Sequence, residues 1–416
     1  MISISIIVVC AFIISKIAQK NFPLDPGSIH IYVFAFANTS MLLLHSLWYF
    51  QFINDHQWLL WSEEGMFKKV LTINVIYVLV FTLSYLILIK LFKIKDVYNK
   101  ANNFQYPTNN FILIYLITVS ILIILEVMSL NYYVAYMGQI PELAMLIAGA
   151  LLLSRIKNDY ILFIGFFYYI AFTILVMSPL SSASEGYVIN RGGAISTVLF
   201  TVVFIDVVKE RNLLTKKRVN LSLLFLPIIL GGVNFIEEII NMGQVNFYQL
   251  FIYVLEGYEL RMMENQAVII DSIESNQMYG LGNTYLLAFA DIIFPFLNLN
   301  LSPGVWLAGY IDGDSDGSAR FGMSTIAEGM MNFPVYGPVI AAIINAFILF
   351  FLRCLYYSNR YYGPILFSAL VALPYYLYRS DINYVMKKIE FAILSTIAVL
   401  ILLKMINLLN LTKKRS

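Results

Sequence analysis

The chain of 416 residues contains few of the residue types that build disulfides and metal centres. Its two cysteines, Cys10 and Cys354, show no spacing that predicts a disulfide or a metal site. Its three histidines all lie within the first 56 residues. Neither a phosphate-binding loop nor a dinucleotide fingerprint is present, which excludes the common nucleotide-driven classes. Only 12% of the residues are charged, about half the share that is typical of a soluble domain.

The chain is instead rich in hydrophobic residues, which make up 60% of its length. Apolar runs of about 17–25 residues have the length of bilayer-spanning helices. We therefore predict an all-α polytopic membrane protein with about 11 transmembrane helices, within limits of about 10–12. The predicted spans are 2–18, 29–53, 70–92, 110–131, 139–154, 159–179, 192–208, 219–236, 334–352, 363–378 and 389–410. The first lacks the basic start and the small-residue cleavage site of a signal peptide.

The charged residues predict how the chain is oriented in the membrane. Segment 237–333 holds twelve acidic residues against Arg261 and Arg320, a net charge of −10. Alternate connectors hold seventeen Lys and Arg residues, and the opposite connectors hold eight. Because basic loops stay in the cytoplasm, this predicts an N-terminus outside, a C-terminus in the cytoplasm and an extracytoplasmic segment 237–333. Within it, the apolar stretch 283–310 is interpreted as an interfacial or re-entrant helix, with a twelfth span as the alternative.

This topology predicts three parts along the chain. Residues 1–236 form an N-terminal transmembrane bundle of about eight helices. Residues 237–333 form one large extracytoplasmic loop with short interfacial helices. Residues 334–416 form about three further transmembrane helices and a basic cytoplasmic tail. Because the other connectors are short, we expect work on a substrate to be done in the large outer loop.

The stretch from Arg320 to Gly337 is the most informative part of this loop. Thr325 and Glu328 have the spacing of a capping box, which predicts an external helix over 325–332. In that interpretation Glu328 serves only to cap the helix. The alternative is a catalytic carboxylate near the membrane surface, beside Arg320, that takes a proton from a sugar hydroxyl.

Four arginines are predicted on the outer side, where positive charge runs against the usual rule: Arg191, Arg261, Arg320 and Arg379. The planar guanidinium is well shaped to hold a phosphate through two hydrogen bonds. Together, the four arginines favour recognition of a pyrophosphate. Singly, each has an alternative role as the ion-pair partner of an outer carboxylate, for example Arg379 with Asp381.

A partial calcium-loop pattern lies in the same outer loop. Asp312, Asp314, Asp316 and Gly317 match its first half, but Met323 stands where the loop needs a bidentate glutamate. A solvated loop is therefore favoured over a metal site. We expect neither a metal nor another cofactor.

Aromatic residues make up 15% of the chain, and most are expected to anchor the protein at the bilayer interfaces. Tyr285 and Trp306 have a second interpretation, because flat amphipathic rings can stack on sugars. These two are therefore candidate substrate-binding residues. Asn345 lies inside a predicted span and is expected to face the bundle interior, since a polar side chain is costly in hydrocarbon.

Three motifs, in this order, resemble those of the Wzy-type polymerases of bacterial surface polysaccharides. They are Asn-Arg191-Gly-Gly at the start of a mid-chain helix, Gly-Leu-Gly-Asn-Thr-Tyr285 before an apolar run, and the stretch 322–337 that leads into a helix. The resemblance covers roughly residues 187–345 together with the general number of helices. Two features depart from the family: Asn332-Phe-Pro334 stands where Asn-Phe-Gly is frequent, and the outer loop is acidic.

The resemblance implies a metal-independent, lipid-linked glycosyltransferase of the GT-C type. Such an enzyme takes a growing glycan from its undecaprenyl-diphosphate carrier and joins it to a hydroxyl of a new lipid-linked repeat unit. The reaction takes place at the outer face of the bacterial inner membrane. It needs a base for the acceptor hydroxyl and donors that stabilise the departing diphosphate. The expected catalytic residues are Glu328, Arg191, Arg379 and Arg320, and the expected substrate-binding residues are Arg261, Tyr285, Asn332 and Trp306.

The implied partners are the undecaprenyl-diphosphate-linked donor and acceptor glycans, membrane lipids and a polysaccharide chain-length regulator. Nucleic acid is not expected. Two other functions stay open as alternatives: an O-antigen ligase and a lipid-linked oligosaccharide flippase or transporter. A ligase is expected to carry a histidine in the outer loop, whereas a flippase is expected to show twofold internal symmetry and a charged central cavity.

Overall fold

The structure is a computed structural model of the chain. It describes residues 2–20, 22–49, 64–92, 282–293, 323–358 and 363–413 as continuous stretches, with shorter stretches and single residues between 114 and 275 and residue 303. The described residues are almost entirely helical, and no strand occurs among them. The predicted all-α class is thereby confirmed.

The continuous stretches form helices whose bounds are close to several of the predicted spans. They are α1 (Ile2–Ala18), α2 (Pro26–Tyr49), α3 (Glu64–Phe92), α4 (Asn283–Ile293), α5 (Thr325–Asn332), α6 (Gly337–Ser358), α7 (Gly363–Ala369), α8 (Leu373–Arg379) and α9 (Ile382–Lys413). Helix α1 has the predicted bounds, and α9 contains the predicted span 389–410. The early start of α9 has a local cause, because the Asp381 carboxylate accepts the backbone N–H of Tyr384 (2.8 Å) and caps the helix.

The structure divides the predicted span 363–378 into two short helices, α7 and α8, and its crossing of the membrane stays a prediction. Residues 370–372 form a turn between them. Pro374 explains the break, since it has no N–H to donate and disfavours helical backbone at the residue before it. As the second residue of α8, it stands in the first turn, where proline is tolerated. The break leaves Arg379 at the end of a short helix.

Several helices have the length and composition of membrane spans. Among the residues that the structure describes, three stretches qualify: Pro26–Ser46, Gly65–Phe92 and Gly337–Tyr357. Helix α3 is apolar on both faces, since Tyr77 and Phe81 are buried while Leu79 and Leu83 are exposed. An exposed apolar stripe along a long helix is suited to lipid and would be a liability in water. The chain is an all-α membrane protein; the eleven spans and their orientation stay predictions.

The chain divides into two compact units, each assembled from distant parts of the sequence. The first comprises Met1–Ile94, Thr215–Phe351 and Leu373–Lys387, and the second comprises Lys95–Leu214, Leu352–Ala372 and Lys388–Ser416. In the first unit, α1 packs against α2 and α3, and α8 packs against α2. The rings of Tyr77, Phe81 and Tyr85 stack in sequence along α3, because residues four apart lie on one helix face.

The second unit has its own buried apolar core. Ile147, Phe200, Ile365 and Val399 belong to this cluster, so residues far apart in the sequence pack together. The hydroxyl of Tyr169 donates a hydrogen bond to the carbonyl of Leu146 (2.9 Å), which satisfies a polar group inside the apolar cluster. All candidate site residues that the structure describes lie in the first unit.

Candidate active site

Helix α5 is the element on which the candidate site is built. Its first N–H groups are capped by Ser324, whose hydroxyl accepts the backbone N–H of Ala327 (3.2 Å). The predicted helix over 325–332 is thus confirmed, with Ser324 as the capping residue. All residues of α5 are buried, and the helix packs against α4 and α8.

Two glycines let α5 approach the start of α6 closely. A Cβ atom added to Gly329 would lie 2.6 Å from the carbonyl oxygen of Gly337, and one added to Gly337 would lie 2.3 Å from the backbone of Gly329. Contacts this short involve backbone atoms, which cannot move aside as a flexible side chain can. Glycine is therefore required at both positions for this crossing.

The Glu328 carboxylate joins α5 to two other elements. It is completely buried, and its Oε1 accepts a hydrogen bond from the Thr284 hydroxyl (2.6 Å). Its Oε2 accepts the backbone N–H of Ile382 (2.7 Å), the first residue of α9. The carboxylate therefore bonds α4 and α9 rather than the backbone of its own helix. The capping-box interpretation of Glu328 is wrong, although the helix that it predicted is present.

Asn332 lies one turn further along α5 and extends the same network. Its side-chain Nδ2 donates to the Thr284 hydroxyl oxygen (2.6 Å) and to the carbonyl of Glu328 (2.8 Å). Its Oδ1 accepts the backbone N–H of Gly282 (3.1 Å), a glycine with a φ of +83°. The structure thus places the predicted substrate-binding residue Asn332 in a buried bridge between α5 and the start of α4. We call Thr284, Glu328, Asn332 and Asp381 the carboxyl cluster.

The electrostatics of this cluster raise the pKa of Glu328. Complete burial, followed by the negative charge of Asp381, raises the pKa of Glu328 from 4.5 to about 8. The hydrogen bonds from Thr284 and from the Ile382 N–H act in the opposite direction and stabilise the ionised form. A carboxyl group with a pKa near the ambient pH can both accept and release a proton, as acid–base catalysis requires.

Tyr285 follows Thr284 on α4 and is also buried. Its ring stacks on that of Phe333 at a centroid distance of 6.3 Å. Within the part of the chain that the structure describes, no hydrogen-bond partner reaches its hydroxyl. Burial raises the pKa of this phenol, and the charge of Glu328 raises it further. In this arrangement the ring packs on protein, so its predicted stacking on a sugar stays a prediction.

Arg379 places a positive charge at the junction of α8 and α9. It is the last residue of α8, stands three positions before Ile382 and is half-buried. Its Nη1 donates to the Tyr375 hydroxyl (3.1 Å), and its guanidinium carbon lies 5.8 Å from the centroid of that ring. Glu328 and Arg379, which are 51 positions apart in sequence, are therefore both held at the junction of α8 and α9.

Several predicted site residues lie outside the described residues. They are Arg191, Arg261, Arg320 and Trp306, as well as the partial calcium loop at 312–317. Within the described stretches of the chain, no group of three or more His, Cys, Asp or Glu side chains could hold a metal. The described candidates that come together are thus Glu328, Asn332, Tyr285 and Arg379.

A second buried network lies beside the carboxyl cluster, and the sequence did not predict it as a unit. His30 Nδ1 lies 2.7 Å from the carbonyl oxygen of Pro374, and His30 Nε2 lies 2.7 Å from the Tyr77 hydroxyl. Asn345 Nδ2 donates to the Tyr77 hydroxyl (2.8 Å) and to that of Thr325 (2.7 Å). We call His30, Tyr77, Asn345 and Thr325 the neutral chain.

The hydrogen bonds of the neutral chain have a defined direction. Because the carbonyl of Pro374 can only accept, Nδ1 of a neutral His30 carries the proton, and Nε2 accepts from the Tyr77 hydroxyl. The Thr325 hydroxyl donates in turn to the carbonyl of Leu377 (2.8 Å). The prediction that Asn345 faces the bundle interior is confirmed, because it is completely buried. Its polar character inside a span was the signal that pointed toward this network.

Comparisons with known proteins do not assign the chain to a family. No family model, no curated protein and no solved structure matches the chain.

Proposed function

We propose that this chain is a membrane glycosyltransferase that polymerises lipid-diphosphate-linked oligosaccharide repeat units at the outer face of a bacterial inner membrane. The class comes from the resemblance of its motifs to the Wzy-type polymerases. One structural observation supports the assignment of the site. Glu328, a buried carboxyl group with a raised pKa, accepts a hydrogen bond from Ile382, the first residue of α9, and Ile382 stands three positions after Arg379. An acid–base group and a cation at one junction suit transfer from an anionic carrier.

In the proposed reaction, the acceptor hydroxyl oxygen attacks the anomeric carbon of the donor glycan. The bond from that carbon to the carrier diphosphate breaks, and the diphosphate leaves with the bonding electron pair. Glu328 takes the hydroxyl proton, and Arg379 stabilises the charge that develops on the diphosphate. No nucleotide is needed, because the lipid diphosphate already activates the glycan.

The Thr284 hydroxyl supports this role for Glu328. It donates to Oε1 at 2.6 Å, within the range that a general base needs from the hydroxyl it deprotonates. In the proposed mechanism, the acceptor hydroxyl takes the place of Thr284 on this oxygen. Because Glu328 is completely buried with Thr284 bound, α4 has to release it when the acceptor enters.

The test is the length of surface glycan on a gel, in a deletion strain that carries each variant. Arg379→Lys keeps the positive charge but loses the planar guanidinium group with its paired N–H donors. Glu328→Gln keeps the size of the side chain but loses the carboxylate that acts as the base. Each is expected to slow polymerisation on the order of 10²–10³-fold, which collapses a long ladder to single repeats. Asp271→Asn and Lys388→Arg are the matched controls and should give normal ladders.

The outcomes separate the parts of the proposal. Normal chain length from Glu328→Gln would show that this residue only joins helices and that the base lies elsewhere. Normal ladders from both variants would remove the whole site assignment. The deletion strain itself tests the functional class. Single repeats on the surface indicate that a polymerase is lost, and the absence of surface repeats indicates that a flippase is lost. Complete polymer that is not attached indicates that a ligase is lost.

A further inference from the structure

A pocket of about 420 Å³ lies on another face of the α5 region, and the proposed reaction does not use it. Its polar lining consists of Lys68, Lys69 and Thr72 from α3 with Glu274 from the helical stretch 265–274. Lys69 forms an ion pair with Glu274, and both side chains are about half exposed, at 49% and 52%. Two adjacent lysines therefore line a pocket that remains open to its surroundings.

The remaining lining of the pocket is apolar. Ile73, Ile270 and Ile273 contribute aliphatic side chains, and Met330 and Pro334 come from α5 and the turn that follows it. Ile270 and Met330 are buried in the protein. A small soluble anion would use the lysines and leave this apolar wall unused. A ligand that joins an anionic head to a hydrocarbon chain would use both parts.

The position of the pocket agrees with such a ligand. Two candidate membrane spans, Gly65–Phe92 and Gly337–Tyr357, begin beside it: Lys68 lies in the first turn of one, and Pro334 stands three residues before the other. Val335 and Tyr336, between Pro334 and the second span, are 80% and 68% exposed. An exposed tyrosine at the end of a span is typical of the headgroup level of a bilayer.

We infer that this pocket binds the headgroup of a phosphate-bearing membrane lipid. Lys68 and Lys69 contact the phosphate, and the Ile270–Ile273 side receives the first carbons of the lipid chains. Lysine suits this position, because its long stem lies along apolar surface while its ammonium group stays at the interface. The inference does not rest on the proposed reaction, and its test measures binding alone.

The experiment counts lipids that remain bound to the purified full-length chain in native mass spectrometry, during titration with dioleoyl phosphatidylglycerol. The double variant Lys68→Ala/Lys69→Ala should bind about 30-fold more weakly, since each lysine near a membrane surface contributes to the attraction of anionic lipid. The matched control is the lysine pair of α9, Lys387→Ala/Lys388→Ala, which should bind as the wild type does. An equal loss from both pairs, or no loss from either, would overturn the site.

Two further variants test the remaining parts of the inference. Ile273→Trp fills the apolar side and leaves both lysines, so it should abolish tight lipid binding; unchanged binding would place the lipid outside the pocket. Glu274→Gln removes the ion pair but keeps the lysines, so binding should stay equal or become tighter. If Glu274→Gln instead matched the lysine variant, the ion pair alone would explain the effect, and the inference would fail.

A competition experiment distinguishes a lipid-binding site from a site for a soluble anion. Inorganic phosphate at millimolar concentration should not displace the lipid, and dioleoylglycerol, which has the chains without the phosphate, should not bind. Displacement by inorganic phosphate would identify a site for a soluble anion instead. Equal binding of dioleoylglycerol would identify an apolar groove without headgroup recognition. All variants are compared by size-exclusion profile and thermal unfolding, so that a misfolded protein is recognised.

Discussion

The carboxyl cluster and the neutral chain are two buried polar networks that meet on the same short helix. Thr325 of α5 belongs to the neutral chain, and Glu328, one turn later, belongs to the carboxyl cluster. Both networks are closed by backbone groups: carbonyls of α8 at the two ends of the neutral chain, and the Ile382 N–H at the carboxyl cluster. They differ in charge and in their relation to the membrane spans.

The neutral chain has His30, Tyr77 and Asn345 inside the three candidate spans. The carboxyl cluster lies outside them, and its two acids bond to the first N–H groups of α9. Helix N-termini present unpaired N–H groups and a positive dipole end, which stabilise a carboxylate. In this pair of networks, the two acids bond to the N-terminus of α9, whereas the groups inside the candidate spans bond to one another and to backbone carbonyls of α8.

The largest expected difference between the two networks is their response to pH. The folded chain raises the pKa of Glu328 from 4.5 to about 8, so in this window the folded state retains a proton that the unfolded state has released. The contribution of Glu328 to stability is therefore full below pH 4.5 and falls as the pH rises toward 8, with a limiting slope of about 1.4 kcal/mol per pH unit for one proton. SDS titrations in mixed micelles at pH 5 to 8 measure the free energy of unfolding.

Glu328→Gln is the variant that sharpens this test, because it cannot titrate. Its stability should stay flat across the same pH window, while the exposed Glu274→Gln variant should keep the wild-type slope. Parallel slopes for wild type and Glu328→Gln would show that another group causes the dependence. That result would remove the electrostatic contrast between the two networks.

The next effect concerns the hydrogen bonds of Asn332. Asn332→Leu leaves the buried N–H of Gly282 without its acceptor and Thr284 without a donor, so it should cost about 2–4 kcal/mol of unfolding free energy. Gln266→Leu is the matched control: Gln266 is also completely buried, but its side-chain amide has no partner within the described part of the chain. The control should be neutral or stabilising. Equal losses in the same SDS titration would mean that volume, rather than hydrogen bonding, stabilises the cluster.

The smallest expected effect is in the neutral chain. Tyr77→Phe removes the hydroxyl that bonds His30 and Asn345, while Asn345 keeps its bond to Thr325. We expect a loss of about 1–2 kcal/mol, equal at pH 5 and pH 8, in thermal or SDS unfolding. Tyr336→Phe, at an exposed hydroxyl, should change stability by less than about 0.5 kcal/mol. A loss that grows with pH would contradict the neutral character of this network.

Local sequence rules predicted the helix of the site better than the role of its acid. The Ser-Thr-Ile-Ala-Glu pattern predicted a helix over 325–332, because capping and helix start depend on residues a few positions apart. The same pattern predicted the wrong bonds for Glu328. Its partners, Thr284 and Ile382, are 44 and 54 positions away, and no local pattern encodes a contact at that distance.

The sequence by itself determined the class of this protein. Long apolar runs and few charges suffice to predict an all-α membrane protein, since solvation by lipid acts on each segment independently. Only the tertiary structure decided which polar groups are bonded to each other. It buries Glu328 against the start of α9, holds Arg379 at the same junction and forms the lysine-lined pocket beside α5. The physical reason is that burial and hydrogen bonding set the protonation and role of a side chain, and both depend on the packing of distant segments.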